Sequence, residues 1–290
     1  MKLTIIIVNW NTLDLTRQTL LSVYAQAELS DFEVVVIDNH SSDGSVSMIT
    51  TAFPQVRLIE NTENYGFGRA NNQGLERATG AYVMFLNSDT IVRDHAIDRL
   101  MRYLDTHPGV AMVGPKLLNG DGTFQHACRR TLPTPQSAFF HLFGLTHLAP
   151  HSRIVNAYKH ADIDPGIEGD TEAMSGAAML LRRTVYEKVG GFDAETFFMY
   201  GEDLDFCKRV GDAGFVIRYV PQAVITHFGG GSTKKRRTKS LIDFYDAMWR
   251  YYEKHYAERA SFFMRGIVRS GIFVRMLVAL AQNIAKNSKT

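Results

Sequence analysis

Three carboxylates lie within residues 202–205, which read Glu-Asp-Leu-Asp. Neighbouring carboxylates raise one another's pKa, so Asp203 or Glu202 could be poised as a general base. The aromatic residues within 197–200 could form a wall on which a sugar stacks, or they could belong to the core. Because acidic side chains also favour the first turn of a helix, a purely structural role for the three acids stays open.

Two further residues follow apolar runs and could bind a cation. Asp89 offers hard oxygen ligands that suit Mg²⁺ or Mn²⁺ beside a diphosphate, although an aspartate here could also cap a helix or turn. His227 could ligate a metal through one ring nitrogen, or it could be a structural histidine. Three glycines at 229–231 and a basic run from Lys234 to Arg237 come next. That run could close over a diphosphate on a flexible hinge.

These residues need a scaffold, and the first 113 residues alternate strand and helix patterns. Strands are predicted at 3–9, 32–37, 56–59, 81–86 and 110–113, and helices at 12–26, 45–53, 64–78 and 96–104. Such alternation predicts βαβ units in a mostly parallel sheet with helices on both faces. Ligands bind at the carboxyl ends of such strands, where Asn9, Asn11, Asp38, Asn87 and Ser88 all fall.

The rest of the chain is less regular at first. Residues 114–172 contain a predicted hairpin turn at 120–122 and a short helix at 139–148, and a segment of this kind is often a lid or substrate loop. Later predictions are strands at 175–182, 215–220 and 223–226 and helices at 184–189 and 202–213. Residues 239–286 are predicted to form two helices with a break near Ser261.

Composition and missing motifs narrow the function. The chain has 290 residues, of which 45% are hydrophobic and 21% charged, which is typical of one large or two small globular domains. Two cysteines are too few for a disulfide scaffold, so we expect a reducing, cytoplasmic location. The glycine-rich GxGxxG and GxxxxGK[ST] loops and the GxSxG elbow are absent, which disfavours dinucleotide-dependent dehydrogenases, P-loop enzymes and α/β hydrolases.

The C-terminal residues 234–290 carry a net charge of +9, whereas the preceding residues carry −7. Arg265, Arg269 and Arg275 interrupt the apolar sequence of this tail, and each would cost about 2.5–3.5 kcal/mol at the centre of a bilayer. A basic amphipathic helix on an anionic membrane surface is therefore favoured over a membrane span. Packing on the catalytic domain or in a dimer is the alternative. The acidic body argues against nucleic acid as a partner.

Several motifs occur together, in consistent order, over residues 3–232. They are IVNWN at 7–11, VIDNHSSDGS at 36–45, ENTENYGFGRANNQG at 60–74, FLNSDT at 85–90, GGFD at 190–193, GEDLD at 201–205 and TH at 226–227. In this combination the chain resembles the family 2 glycosyltransferases of the GT-A fold, which are inverting enzymes that use nucleotide sugars. The stretches at 63–72 and 87–90 look most like the rhamnosyltransferase branch of cell-surface polysaccharide assembly.

The resemblance implies roles at the donor site. Asn9, Asn11 and Asp38 correspond to residues that grip the base and ribose. Asn64 and Asn71 fall in the segment that lines the nucleotide pocket.

The same resemblance implies a metal-diphosphate site. Asn87 and Ser88 belong to the nucleotide-sugar site, and Asn87 replaces the first acid of the family's DxD motif. Asp89 matches the last acid of that motif, and His227 matches a distal metal or diphosphate ligand. Mg²⁺ or Mn²⁺ is the implied cofactor, and Lys234 and Arg237 would add positive charge at the diphosphate.

Asp203 matches the catalytic base of the family, with Glu202 as the fallback. The QxxRW signature of processive synthases is absent, so the addition of one sugar is expected. The implied reaction moves L-rhamnose from dTDP-rhamnose to a saccharide acceptor, often lipid-linked, at the inner face of the cell membrane. A UDP-hexose or UDP-N-acetylhexosamine transferase is one alternative. A non-catalytic nucleotide-sugar-binding module and a nucleotidyltransferase are alternatives of other classes.

We therefore expect a GT-A nucleotide-diphospho-sugar transferase fold, an α/β architecture with a mostly parallel central sheet flanked by helices and with C-terminal helices. The catalytic domain would span residues 1–233, with a nucleotide-binding half at about 1–113 and an acceptor half at about 114–233. A basic helical tail at 234–290 would follow.

Overall fold

The computed structural model describes residues 2–26, 31–134, 164–230 and 237–287. Its strands are β1 (Leu3–Asn9), β2 (Phe32–Asp38), β3 (Arg57–Glu60), β4 (Tyr82–Asn87), β5 (Thr90–Arg93), β6 (Val110–Leu118), β7 (Gly169–Asp170), β8 (Ala178–Arg182) and β9 (Val216–His227). Its α-helices are α1 (Leu13–Gln26), α2 (Ser45–Ala52), α3 (Phe67–Arg77), α4 (Ala96–Thr106), α5 (Arg183–Val189), α6 (Glu202–Asp212), α7 (Arg237–Tyr256) and α8 (Phe262–Asn287). The predicted helix at 139–148 lies outside the described residues.

The strands form one sheet in the order β3-β2-β1-β4-β8-β6-β9-β5, and β7 pairs with β9. The strands β3, β2, β1 and β4 run parallel, as do β6 and β9. The strand β8 runs antiparallel to both β4 and β6, and so joins the two parallel parts. The predicted α/β sheet flanked by helices is therefore confirmed.

Apolar side chains cover both faces of the sheet, which explains why its central strands are apolar throughout. In β1, Ile5 and Ile7 point into one core and Ile6 into the other, and all three are fully buried. The helix α3 lies very close to β1, because a Cβ atom at Gly74 would be 2.5 Å from Cγ2 of Ile6. This packing brings the start of α3 close to the carboxyl end of the parallel strands.

Two predicted boundaries differ from the structure in the second half of the sheet. The predicted strands at 215–220 and 223–226 form the single strand β9, whose pairing with β6 shifts register between Pro115 and Lys116. Pro221 falls at this shift, since proline lacks the N–H group that a regular ladder needs. The strand β5 was not predicted, because its first residues read as a turn.

The two C-terminal helices are confirmed, and the break between them is a 3₁₀ turn at Ala257–Arg259. The helix α7 packs on the body of the protein, where Ala247 and Tyr251 bury Phe197. The helix α8 packs on α7 through Val268 and Ile272. None of the helices in the described part of the chain combines the length and apolarity that crossing a bilayer requires.

Candidate active site

The carboxyl ends of β1, β2 and β4 bring predicted donor-site residues to one edge of the sheet. Asn9 pairs with Asp38 across β1 and β2, and Val8 pairs with Asn87 across β1 and β4. The side chains of Asn9 and Asp38 are almost completely buried, and Nδ2 of Asn9 donates to Oδ1 of Asp38 at 2.6 Å. The register of the parallel sheet therefore places these residues beside one another.

The hydrogen bonds of Asn9 hold the loop after β2 in place. Its Oδ1 atom accepts from the hydroxyls of Thr12 and Thr16, and its Nδ2 atom also reaches Oγ of Ser41 at 3.1 Å. Since Asn9 is fully buried and its side chain is already well bonded, it holds Asp38 in position.

Asn11 lies in the left-handed region with a φ of 54°, a conformation that asparagine tolerates better than most residues. Its backbone N–H donates to Oγ of Ser41 at 2.9 Å, and its Oδ1 atom accepts from the N–H of Ser42 at 2.8 Å. Asn11 therefore ties the loop after β1 to the loop after β2, at the edge where Asp38 lies.

Amide side chains form a second cluster beside β2 and β3. Nδ2 of Asn39 donates to Oδ1 of Asn64 at 3.3 Å and to the carbonyl of Gly66 at 3.1 Å. Oδ1 of Asn64 also accepts from the N–H of Gly66, which turns the chain into α3. Asn71 is 1% exposed and donates to the carbonyl of Phe67. Asn64 thus shapes the wall of the predicted pocket, and Asn71 braces α3 behind it.

Asp89 and His227 come together because β5 pairs with β9, with Thr90 opposite His227. Oδ1 of Asp89 lies 3.2 Å from Nε2 of His227, and both side chains are largely buried. Nδ2 of Asn87 reaches the same Nε2 atom at 3.3 Å. The neighbouring Ser88 is buried, and its hydroxyl bonds with that of Thr12.

A chain of hydrogen bonds from the hairpin at 119–125 fixes the tautomer of His227. The carboxylate of Asp121 only accepts, so the Thr123 hydroxyl donates to it at 2.6 Å and accepts from Nδ2 of Asn119. Oδ1 of Asn119 then accepts from Nε2 of Gln125, which leaves Oε1 of Gln125 to accept from Nδ1–H of His227 at 2.9 Å. In the neutral ring Nε2 is then the unprotonated nitrogen, and it lies 3.3 Å from Nδ2 of Asn87 and 3.2 Å from Oδ1 of Asp89. The predicted turn at 120–122 is confirmed within this hairpin.

This pair fits a divalent cation. Two neighbouring ligands of an octahedral ion at about 2.1 Å lie about 3.0 Å apart, close to the 3.2 Å between Asp89 and His227. A carboxylate oxygen and an unprotonated imidazole nitrogen are suitable ligands for Mn²⁺ or Mg²⁺. Among the described residues there is no cluster of three or more histidine, cysteine or acidic side chains. Further ligands would therefore come from a diphosphate and water.

Asp203 lies in the first turn of α6 and faces the same edge of the sheet. Its Oδ2 atom accepts from Nη2 of Arg130 at 2.5 Å and from the N–H of Gly176 at 3.3 Å. The next residue, Ala177, accepts the backbone N–H of Asn87. Asp203 is therefore linked to Asn87 through Gly176 and Ala177, and Asn87 in turn contacts His227.

Glu202 differs from its neighbour, because its side chain is buried. Burial, with the nearby charge of Asp203, raises the pKa of Glu202 to about 8. Its Oε2 atom has no hydrogen-bond partner within the described ranges. A carboxyl group that is protonated at neutral pH does not accept a proton there, which favours Asp203 as the base. Both assignments stay predictions.

The predicted site also includes a basic run before α7 and aromatic residues before α6. Lys234 lies outside the described residues, and Arg237 is exposed at the first residue of α7. Of the aromatic residues before α6, Phe197 is buried in the core and Phe198 is 41% exposed. Phe198 is therefore the better candidate of these two for contact with a sugar.

Sequence reasoning missed Gln125 and Arg130, the two residues that orient His227 and Asp203. Both lie in the irregular segment after β6, where neither a motif nor a periodic pattern marked them. A signal for Gln125 exists in retrospect, because the hairpin turn at 120–122 must bring the following residues back beside β6.

The family model for "Glycosyl transferase family 2" matches residues 4–190. The chain belongs to glycosyl transferase family 2. A second model, "Glycosyl transferase family group 2", matches residues 162–285 of this family 2 glycosyltransferase.

Among curated proteins, the chain is 31% identical to an N-acetylglucosaminyl-diphospho-decaprenol L-rhamnosyltransferase of Mycobacterium tuberculosis. The match extends over 211 residues, which are 69% of this chain and 67% of the relative. The chain is 28% identical to the O-antigen biosynthesis protein RfbC of Myxococcus xanthus, over 76% of this chain and 17% of that protein.

Solved structures confirm the predicted fold. The mannosyltransferase PcManGT from Pyrobaculum calidifontis, in complex with GDP-Man and Mn²⁺, has a TM-score of 0.60 at 18% identity and covers 99% of this chain and 79% of its own. S. aureus TarS 1-349 in complex with UDP-GlcNAc has a TM-score of 0.57 at 17% identity and covers 94% of this chain and 72% of its own. This family 2 glycosyltransferase therefore has the GT-A fold.

Proposed function

We propose that this glycosyltransferase moves one sugar from a nucleoside-diphosphate sugar to a saccharide acceptor with inversion at the anomeric carbon. The observation that carries the proposal is the convergence of Asp203 and the Asp89–His227 pair on one edge of the sheet. Such a displacement needs a base that deprotonates the acceptor and a positive charge that stabilises the leaving diphosphate. The carboxylate of Asp203 can serve as the base, and the Asp89–His227 pair can hold a cation.

Asp203 is the proposed base. The bonds from Arg130 and Gly176 fix its Oδ2 atom, while Oδ1 accepts only the N–H of Leu204 among the hydrogen bonds described here. The remaining lone pair on Oδ1 takes the proton of the acceptor hydroxyl as that oxygen attacks the anomeric carbon. One displacement of this kind inverts the anomeric configuration.

Asp89 and His227 would hold Mg²⁺ or Mn²⁺, which when bound supplies positive charge that stabilises the departing nucleoside diphosphate. Asp38 binds the nucleoside. Asn9 holds Asp38 in position beside Asn11 and near the amide cluster of Asn64. Lys234 and Arg237, which precede and begin α7, add positive charge at the diphosphate.

For the donor we propose dTDP-rhamnose, which is supported by the likeness to the mycobacterial L-rhamnosyltransferase. The proposed acceptor is a saccharide on a diphospho-polyprenol, used in cell-surface polysaccharide biosynthesis, because the names of two relatives point to such glycans. UDP-hexoses and UDP-N-acetylhexosamines are the alternative donors.

A panel of dTDP-, UDP- and GDP-sugars, read by release of the nucleoside diphosphate, tests the reaction and the donor together. We expect release with dTDP-rhamnose that depends on acceptor and on Mn²⁺ or Mg²⁺. The Asp203→Asn variant should bind the nucleotide with unchanged affinity but lose transfer. Undiminished turnover by that variant would remove Asp203 from the role of base.

We also propose that the protein works at the inner face of the cell membrane, docked through α8. The residues of α8 that point away from α7 are apolar and strongly exposed, with exposed fractions of 93% for Phe262, 76% for Phe263 and 68% for Ile284. No charged residue occupies the outward positions, which are 262, 263, 266, 270, 273, 274, 277, 281 and 284. An uncharged outer face with arginines at its margins suits insertion into an anionic membrane surface.

Co-sedimentation with vesicles tests this docking. The Phe263→Ser/Leu277→Ser double variant should lose binding to vesicles that contain anionic lipid, whereas Leu21→Ser, which changes an exposed apolar residue of α1, should bind as the wild type does. Point variants are better than truncation, because removal of α7 would uncover Phe197 and Asp205. Equal binding by all three proteins would dismiss the membrane surface.

A further inference from the structure

The third acid of the 202–205 stretch, Asp205, contacts α7 rather than the residues around Asp203. It is fully buried, and its Oδ1 atom accepts from Nζ of Lys254 at 2.6 Å and from Nε2 of His255 at 2.9 Å. Its Oδ2 atom accepts from Nε of Arg209 at 2.8 Å. Burial would raise the pKa of Asp205, but the bonds from His255 and Lys254 and the charge of Arg209 outweigh it and lower the pKa to about 2.

Lys254 contacts both the first turn of α6 and the loop that precedes this helix. Besides Asp205 on α6, its Nζ atom donates to Oδ2 of Asp193 at 2.7 Å, in the loop that leads to α6. The other oxygen of Asp193 accepts from the N–H of Thr196 at 3.0 Å. A single ammonium group on α7 therefore fixes both the loop before α6 and the first turn of α6.

Apolar packing also holds the loop before α6 against α7. Phe197 is 1% exposed and lies against Ala247 and Tyr251 of α7. A Cβ atom at Gly201 would lie 3.5 Å from Cβ of Ala247, so α7 passes close to the residue that precedes Glu202. The turn at Tyr200 and Gly201 has φ values of 68° and 78°, and this unfavourable geometry for tyrosine needs support from its surroundings.

We propose that Lys254 is a positioning residue for the transfer step. Through Asp205 and Asp193 it holds the first turn of α6, so that Asp203 faces Arg130 and Gly176. The inference rests on the proposed function, because it assigns a role relative to the base. It also gives α7 a part in catalysis, although this helix lies outside the sequence motifs at residues 3–232.

The test compares Lys254→Met with Lys254→Arg and with Arg250→Met. Arg250 is the matched control, since it lies on the same helix and pairs only with Asp246 among the ion pairs of the described residues. Turnover is measured per nucleotide-binding site and well below the melting temperature, so that lost stability does not count as lost activity. Nucleotide affinity is measured by calorimetry, and amide hydrogen exchange is followed at residues 202–206.

We expect Lys254→Met to lower kcat about ten- to hundredfold, because a displacement near 1 Å has effects of this size, while the nucleotide Kd stays within twofold. Exchange at 202–206 should rise. Lys254→Arg should recover most of the turnover, since an arginine can bind both carboxylates. Arg250→Met should match the wild type in every measurement.

Unchanged turnover per site in Lys254→Met would overturn the inference, as would an equal loss of nucleotide affinity, which indicates general disruption. If Lys254→Met does not fold, Lys254→Gln replaces it, and failure of both to fold would make Lys254 a general stability residue. If the wild type transfers no sugar, the proposed function fails, whereas hydrogen exchange at 202–206 still reports whether Lys254 holds that turn.

Discussion

Gln125 should control the affinity of the proposed metal site without being one of its ligands. It accepts the Nδ1–H bond of His227 at 2.9 Å and so leaves Nε2 unprotonated, 3.2 Å from Oδ1 of Asp89. The Gln125→Leu variant removes that acceptor but keeps a similar volume. The loss of such a partner of a metal-binding histidine costs about 10- to 100-fold in affinity, or roughly 1.4–2.7 kcal/mol.

The structure separates this effect from simple destabilisation. Nε2 of Gln125 also donates to the carbonyl of His227 and to Oδ1 of Asn119, and losing these two bonds should cost about 0.5–1.5 kcal/mol of folding free energy each. The Gln125→Glu variant loses these donors too, but it keeps an acceptor for Nδ1–H. Gln125→Glu should therefore be less stable than the wild type, with metal affinity retained or increased.

The assay is a Mn²⁺ titration in the presence of a nucleoside diphosphate, read by the spin-resonance signal of free Mn²⁺. The half-saturating concentration should rise 10- to 100-fold for Gln125→Leu and should not rise for Gln125→Glu. Wild-type Mn²⁺ affinity in Gln125→Leu would refute the argument that the hairpin orients His227. Equal losses in both variants would show that stability, not the tautomer of His227, decides the affinity.

Three further predictions concern stability. Because the pKa of Glu202 is raised from 4.5 to about 8, the unfolded state binds fewer protons than the folded state between these pH values, so the wild type should lose stability as pH rises through them. Thermal melting of Glu202→Gln, which has no such group, should therefore show a growing advantage over the wild type from pH 5 to pH 8, and a constant difference would contradict this. Asp205→Asn should lower the free energy of unfolding by about 3–5 kcal/mol at pH 7 in urea melts. Because the pKa of Asp205 is lowered to about 2, that deficit should shrink as pH falls from 4 to 2. Gly66→Ala should be destabilised by more than the roughly 1–3 kcal/mol of backbone strain alone, because its Cβ atom would lie 2.4 Å from the carbonyl oxygen of Phe198. Gly122→Ala has a similar positive φ with open space around it and is the control for strain alone.

The parallel half of the fold is predictable because its signals are local. The strands β1, β2 and β4 are short, mainly apolar runs that end in polar residues, and each helix between β1 and β4 follows a turn or capping pattern. The sheet register then brings Asn9, Asp38 and Asn87 together without further information.

What sequence reasoning missed depends on contacts between distant residues. The strand β5 has four residues and follows Asn-Ser-Asp, so only its pairing with β9, some 130 residues later, identifies it as a strand. Asp205 looks like one more acid at a helix start, and its partners Lys254 and His255 lie on another helix about 50 residues away. Local patterns contain no information about such partners.

The antiparallel pairing of β5 with β9 also bears on how the enzyme matures during synthesis. Asp89 emerges from the ribosome long before His227, and the two approach only after β9 has joined the sheet beside β5 and β6. A nascent chain that ends before β9 can pair β1 to β4 but lacks His227 of the proposed cation pair. The proposed cation pair would therefore form late, after Asp203 on α6 has already been synthesised.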